Sequence, residues 1–365
     1  MSNLRNSNMT IHKVASNFTR QNTLSNAVLM IHFSDSISSK PEQFSSYHQF
    51  KKSQTFKNLP YVDTAMNAFF INGGSDVYLL NYNLNDRKSF ASYIRSMCDN
   101  LMQLELISTL GLVHLEDKDC STALYYMNIL CDYASRSNRL FIADINDEIL
   151  QHKLDFIGES VMYYPWFKID KKQSLAPSVI ASAMMNKLAN EGKISHSIAN
   201  KEIGFCNNLM SKLNRSDMAL FEKEAINPII FQAKQGVRIW GVNAFNSYFS
   251  TVNELRVMKH VKREVKNISR NFIFEPNTVS LHDRLFFKIN RFLYTLYEQG
   301  VLVGETQDEA YVLNAKFDDS GELNTLVFNL SIAIARPLEF IYIRLNRVEH
   351  DGMPATTSIN SSVES

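Results

Sequence analysis

A chain of 365 residues that is 45% apolar is long enough to bury a sizeable core and to divide into two domains. Its formal net charge of +1 argues against sequence-independent binding of nucleic acid over the whole surface, which needs an excess of cations to neutralise phosphates. Four cysteines (Cys98, Cys120, Cys131, Cys206) show neither CxxC pairing nor zinc-ligand spacing and read as small buried hydrophobes in a reducing compartment.

Along the chain, residues 1–26 are rich in Asn, Ser and Thr, with Ile11, Val14 and Phe18 scattered among them. The stretch is too polar to build a core, yet apolar enough in places to lie as an extended strand on another surface. It has no apolar segment of signal-peptide length, and no run in the chain reaches membrane-spanning length, so synthesis and use in the cytoplasm, or release by a route other than secretion signals, are expected. Residues 27–33 (AVLMIHF) read as a buried strand. A helical face follows at Val62, Ala65, Met66, Phe69 and Phe70, stopped by Asn72-Gly73-Gly74, with a strand over residues 77–80. Two further strands at 110–115 (LGLVHL) and 140–145 (LFIADI) flank a helix over 122–136, with Leu124, Met127, Leu130 and Cys131 on one side. Strand, helix, strand at this spacing is a βαβ unit, so a partly parallel sheet is predicted from residue 28 to about 170. Residues 161–169 form an aromatic strand interrupted by Pro165, and Pro177 opens a helix that ends near Gly192.

The second half differs. Residues 199–213 and 215–224 are polar and amphipathic, and 226–245 is rich in strand-forming residues. The spacing predicts a long helix over 253–270, with Leu255, Met258, Val261, Val265 and Ile268 toward a core. Arg256, Lys259, Lys262, Arg263, Lys266 and Arg270 form a basic stripe opposite, against only Glu254 and Glu264; such a stripe is either a solvated face or a contact surface. A second helix is expected from an N-cap at Ser280, with Leu281, Leu285, Phe286, Ile289, Phe292, Leu293 and Leu296 on its apolar side and Gly300 closing it. Strands are expected at 310–317, 323–335 and 339–348, the first two joined by a turn at Asp318-Asp319 and Gly321, with a disordered tail from 349 to 365.

Motifs that carry chemistry are missing. The nearest approach to a phosphate-binding loop is Gly192-Lys193-Ile194-Ser195, which lacks the first glycine and displaces the serine, and Gly73-Gly74 precedes a strand where a phosphate cradle should follow one. There is no G-x-S-x-G elbow and no H-E-x-x-H. The densest polar cluster, residues 114–120 (HLEDKDC), follows a strand, where α/β proteins place sites. It reads more simply as a solvated loop with an Asp N-cap for the helix that follows. No catalytic, cofactor-binding or metal-binding residue and no cofactor are predicted. The alternative is an α/β enzyme with an unrecognised ligand site around that cluster.

Several short motifs follow one another along the chain. Phe69-Phe70-Ile71-Asn72-Gly73-Gly74 runs into the strand Val77-Tyr78-Leu79-Leu80. Tyr163-Tyr164-Pro165-Trp166 and Pro177-Ser178 follow, then Ile226-Asn227-Pro228-Ile229 with Gly236 and Trp240-Gly241. Phe274-Glu275-Pro276-Asn277 comes next, then Phe292-Leu293 with Gly300 and Gly304, and finally Arg336-Pro337-Leu338-Glu339-Phe340-Ile341. In this order they resemble the tail sheath protein of contractile injection machines, the family shared by contractile phage tails, R-type bacteriocins and phage-tail-like particles. The resemblance runs from about residue 28 to 348. It departs at residues 190–200 (NEGKISHSIAN), where the family carries a glycine-rich, arginine-containing segment and this chain keeps only Ala199-Asn200 of an "APAN" motif. The chain is also short for the family, which suggests a minimal sheath without outer decoration domains.

The resemblance implies an α/β fold, α+β overall, in four parts: an extended N-terminal arm (1–26), an outer α/β sheath domain (27–198), an inner, tube-facing α+β domain (199–348) and the tail (349–365). It implies a structural subunit and no enzyme, one that polymerises as stacked hexameric rings in a helical sheath around an inner tube and contracts to drive the tube through a target envelope. Its partners would be copies of itself, the tube protein, baseplate and terminator or cap proteins, and any sheath paralogues, with no direct nucleic-acid contact and no membrane insertion. Assembly is expected in the bacterial or phage-host cytoplasm, before the subunit becomes part of a virion, a released particle or an anchored machine; a type VI secretion sheath is the alternative within the class. Ile11, Val14 and Phe18 at one end, and the alternating Phe340, Ile341, Tyr342, Ile343 and Leu345 at the other, are expected to add strands to neighbouring subunits. Disorder of the first arm and pairing of the second within its own subunit are the alternatives. The basic stripe is expected to meet an acidic tube by weak, screened contacts, so that reversing Lys259, Lys262 and Lys266 to Glu stops sheath growth and leaves the monomer folded.

Overall fold

Apolar runs without polar alternation suit strands covered on both faces, and those in this chain become the middle of one sheet. The computed structural model describes residues 26–35, 40–56, 59–100, 106–114, 119–171, 173–245, 247–276, 278–317, 326–336, 347–348 and 354–355. Ile11, Val14, Phe18, Phe340, Ile341, Tyr342, Ile343 and Leu345 of the two expected arms, the turn at Gly321 and most of the tail lie outside the described residues.

In chain order the first part contains β1 (Ala27–Ser34), β2 (Glu42–Phe44), α1 (Tyr47–Phe50), α2 (Pro60–Ile71), β3 (Val77–Asn83), α3 (Phe90–Asn100), β4 (Ile107–His114), α4 (Cys120–Arg136) and β5 (Leu140–Asp144). It continues with β6 (Val161–Tyr164), β7 (Phe167–Lys168), β8 (Ser174–Leu175), α5 (Pro177–Asn190), α6 (Arg215–Lys223), β9 (Ile226–Gln232), β10 (Gly236–Ile239) and α7 (Val252–Arg270). Eight strands form one sheet in the order β10-β9-β6-β5-β4-β1-β3-β2. All neighbours from β3 to β9 pair in parallel, and antiparallel β2 and β10 close the two edges.

Successive residues of a strand point to opposite faces. Val28 and Met30 of β1 therefore pack into one core layer with Val62, Met66 and Phe69 of α2 and Val179 and Ile180 of α5. Leu29, Ile31 and Phe33 enter the other, with Tyr126, Met127 and Leu130 of α4. Helix α5 is buried at every position from Pro177 to Asn186, so its polar residues must find partners inside. Ser178 meets the Asp144 carboxyl with its backbone N–H (2.6 Å) and with its hydroxyl (2.6 Å), and its hydroxyl lies 2.9 Å from the Leu112 carbonyl. Asn186 accepts from Ser75 N and donates to the Asn26 carbonyl.

Two other asparagines explain the spacing within the motifs as packing. Asn72, at the end of α2, donates to the Ala68 and Gly204 carbonyls and accepts from Gly204 N, tying a loop 132 residues away to the helix end. Asn227 donates to the carbonyls of Met162 (3.0 Å) and Asn243 (2.8 Å) and accepts from Asn243 N (2.7 Å). A Cβ on Gly241 would stand 2.7 Å from the Asn227 carboxamide oxygen and 3.0 Å from its Cα, so only glycine admits this approach.

The chain divides into two units, Met1–Ile194 with Ile198–Glu264, and Ser195–Ser197 with Val265–Ser365. This division falls well beyond the expected boundary at 198/199. The physical reason is that β9 pairs in parallel with β6, while Asn200 N and Ile203 N bond to the Ile239 and Val237 carbonyls of β10, which makes residues 199–264 part of the large sheet's unit.

The second unit contains α8 (Val279–Glu298), α9 (Gln307–Ala310), β11 (Tyr311–Phe317) and β12 (Leu326–Ile332). Leu281, Leu285, Ile289, Leu293 and Leu296 are its buried helical stripe. Thr278, and not Ser280, caps α8: Thr278 has the extended backbone of a cap and its hydroxyl accepts from Leu281 N at 3.2 Å, whereas Ser280 is already inside the helix. Gly300 closes the helix at φ 70°, with Gly300 N bonded to Tyr297 O and Val301 N to Leu296 O, a Schellman pattern. Strands β11 and β12 form the expected antiparallel pair.

Candidate functional site: the basic helix

Helix α7 begins with a capping box that the charge pattern hides. Thr251 Oγ1 accepts from Glu254 N at 3.3 Å, and Glu254 Oε2 accepts from Thr251 N at 3.3 Å. Glu254 therefore serves the helix end and does not offset the basic stripe.

The stripe itself is divided. Arg256 is buried and its Nη2 donates to the Met185 carbonyl of α5 at 3.1 Å. Lys259 is buried and its Nζ lies 2.8 Å from Glu159 Oε2, while Glu159 Oε1 accepts from Ser247 Oγ at 3.0 Å. Arg263 is half-buried and its Nη1 donates to the Asn138 carbonyl at 3.0 Å. Burial pushes the Arg256 and Arg263 guanidinium groups down to about 10. Burial also lowers Lys259 against the opposing pull of Glu159, and burial with Arg263 and Arg256 nearby pushes His260 down to about 3. A cavity of about 20 Å³, room for one water, lies among Arg256, Lys259, Arg263, Ser108 and Thr109.

Only Lys262, Lys266 and Arg270 of the predicted stripe are exposed, at i, i+4 and i+8 along one side of the helix. Arg256 and Lys259 cannot face a partner outside the subunit. The expectation that reversing Lys259 leaves the monomer folded is corrected by its own burial against half-buried Glu159. Of the predicted core side, Leu255 and Val261 are buried and Met258, Val265 and Ile268 half-buried; Val257 is fully buried as well.

The cluster at residues 114–120 behaves as helix-start and core chemistry where it is described. Asp119 caps α4 by accepting from Thr122 N at 3.0 Å, and hydrogen bonds from Ser121 and Thr122 hold its carboxyl down at about 2. The His114 ring stacks on Tyr61 at 4.0 Å between centroids. Cys120, Cys131 and Cys206 are buried thiols, and burial pushes Cys131 and Cys206 up to about 12. Among the described residues no group of His, Cys, Asp and Glu is placed to hold a metal ion, and no helix is long and apolar enough to cross a membrane.

No protein-family model and no curated protein matches the chain in sequence. In structure it matches a chain of the anti-feeding prophage (AFP) baseplate with a TM-score of 0.74 at 18% identity, covering 89% of this chain and 94% of that one. It matches the contracted AFP helical sheath with a TM-score of 0.72 at 18% identity, over 88% and 93% of the two chains. The contracted sheath complex of the extracellular contractile injection system PVC gives 0.69 at 18% identity, over 94% and 98%. The chain therefore has the fold seen in subunits of contractile injection systems, an α/β fold built on a mostly parallel eight-stranded sheet.

Proposed function

We propose that this chain is a structural subunit of a contractile sheath, which polymerises around an inner tube and contracts to drive that tube through a target envelope. The observation that carries the proposal is likeness to sheath chains over nearly the full length of both partners, 94% of this chain and 98% of the PVC sheath chain. A shared domain grafted onto an unrelated protein would leave much of one chain unmatched.

On this reading, the work of contraction is stored in subunit contacts at assembly and needs no cofactor. The polar N-terminal arm and the C-terminal segment 339–348 add strands to neighbouring subunits, whose backbone bonds survive rigid-body rotation as the lattice shortens. Lys262, Lys266 and Arg270 present the exposed charge of α7 to an acidic tube surface. Exposed pairs of this kind are worth about 0–1 kcal/mol each, weak enough to release when the sheath widens. Baseplate and cap proteins terminate the polymer, which assembles as stacked rings in the cytoplasm of the producing cell.

The test is electron microscopy of the protein purified after co-expression with its neighbouring tube and baseplate genes. Striated hollow cylinders of uniform width are expected. Dispersed small particles beside well-formed tubes would overturn the proposal.

A further inference from the structure

The corner between α7 and α8 carries an aromatic knob. Phe274 is fully exposed, at 102%, and holds a backbone φ of 72°. A solvated turn favours Gly or Asn in that left-handed region, because a Cβ is strained there. Ile273 beside it is 55% exposed. Phe272 anchors the corner from below: it is buried, with Lys288 Nζ 4.7 Å and the Arg284 guanidinium 5.6 Å from its ring centre. Arg284 also pairs with Glu275. Together with exposed Arg270, these groups give the knob a collar that is net positive.

The first unit carries a hole of opposite character. At the C-terminal ends of β5 and β6 lies a cavity of about 160 Å³ lined by Asn146, Asp147, Glu148, Tyr164, Pro165, Trp166 and Met210. A cavity of roughly 150 Å³ holds a benzene ring. Its rim is acidic: Glu148 is exposed, and Asp147 is fixed by hydrogen bonds from Tyr164 Oη at 2.6 Å and Ser211 Oγ at 2.9 Å. Trp166 in its wall has a buried indole N–H with no acceptor among the described residues, a donor that an aromatic face can satisfy.

We propose that Phe274 of one copy seats in this cavity of a second copy, with Arg284 and Lys288 facing Asp147 and Glu148. The fit rests on charge complementarity and on a hole the size of one ring. Knob and hole are different surfaces, so the contact is heterologous, and repeating it builds a ring or an open helical array in place of a closed dimer. The inference rests on the sheath reading, because it supplies one of the contacts such a polymer needs.

Full-length chain carrying Phe274→Cys and Met210→Cys together, assembled with tube and baseplate and then mildly oxidised, tests the contact. A non-reducing gel should show a ladder of dimers, trimers and larger species, and neither single variant should go beyond dimer. Should the cysteines weaken assembly, Lys288→Glu and Glu148→Lys provide a second route. Each alone should raise the subunit concentration needed for assembly about tenfold, and the two combined should restore it. Normal cylinders without a ladder, or no recovery in the combined charge variant, overturn the contact and leave the sheath reading standing. Failure of the parent chain to form cylinders on its tube overturns the sheath reading and this contact with it.

Discussion

Lys259 Nζ and Glu159 Oε2 stand 2.8 Å apart, and the lysine side chain is only 4% exposed. This pair turns a surface-looking charge into an internal tie between α7 and the loop before β6. A carboxylate at position 259 would be a buried charge facing another of the same sign on half-buried Glu159, which costs far more than the pair itself contributes.

Lys259→Glu should therefore destabilise the isolated subunit by ~3–5 kcal/mol, read as a lower urea midpoint at unchanged slope. Adding Glu159→Lys should recover part of the loss by reversing the pair. An unchanged midpoint in the single variant would contradict the assignment of Lys259 to the interior.

The exposed half of the stripe predicts the opposite. Lys262→Glu, Lys266→Glu and Arg270→Glu combined should leave the subunit's stability within ~1.5 kcal/mol, since exposed substitutions usually shift it by no more than ~0.5 kcal/mol each. The same variant should fail to extend sheath along tubes, and salt that screens exposed charges should shorten parent sheaths likewise. Sheaths of normal length on normal tubes, measured by negative stain, would sink the role given to these three residues.

Asp144 predicts a pH dependence of the fold. Its carboxyl is fully buried against Ser178, and burial, partly offset by the Ser178 hydrogen bonds, raises it to about 7. Proton counting agrees: the Ser178 hydroxyl has one hydrogen but lies within reach of both Leu112 O and Asp144 Oδ2, so a proton on Asp144 satisfies the second contact. The native chain then holds this proton between about pH 4 and 7 while the unfolded chain, titrating near ~3.9, does not. Asp144's contribution to stability is thus fully present at low pH, falls as pH rises through that window and is flat above it. Asp144→Asn, which keeps the donor and acceptor geometry without the charge, should gain in melting temperature relative to the parent as pH rises from 4 to 7. A parent that instead gains on the variant over that window would refute the assignment.

What was legible in the residues followed from burial on both sides. The runs at β1, β4 and β5 are mostly apolar on both faces because helices cover both sides of the sheet, and α8 announced its end because Gly300 takes a backbone few residues tolerate. Its start was misplaced by two residues because Thr278 and Ser280 have the same capping chemistry, and only the backbone at Thr278 decides between them. Helix α3 (FASYIRSMCDN) escaped notice although Phe90 and Ile94, one turn apart, are buried and Tyr93 packs beside them, because no glycine or proline stop marks its end. The basic stripe was half legible for a clear reason. Helical period places a lysine on a face but cannot say whether that face meets water, and at the start of α7 every residue from Val252 to Val257 is buried. The partner that draws Lys259 inward, Glu159, is 100 residues away in sequence. Long aliphatic stems allow such cations to enter a core that shorter polar groups cannot reach.

The most direct test of the central claim is electron microscopy of purified cylinders before and after a contraction trigger, with the chain's own density identified in the cylinder wall. The account predicts one copy of the eight-stranded sheet in each repeating unit of the wall, and a shorter, wider cylinder after triggering, without added nucleotide. A wall built of another polypeptide, or a cylinder whose length and width never change, would contradict it.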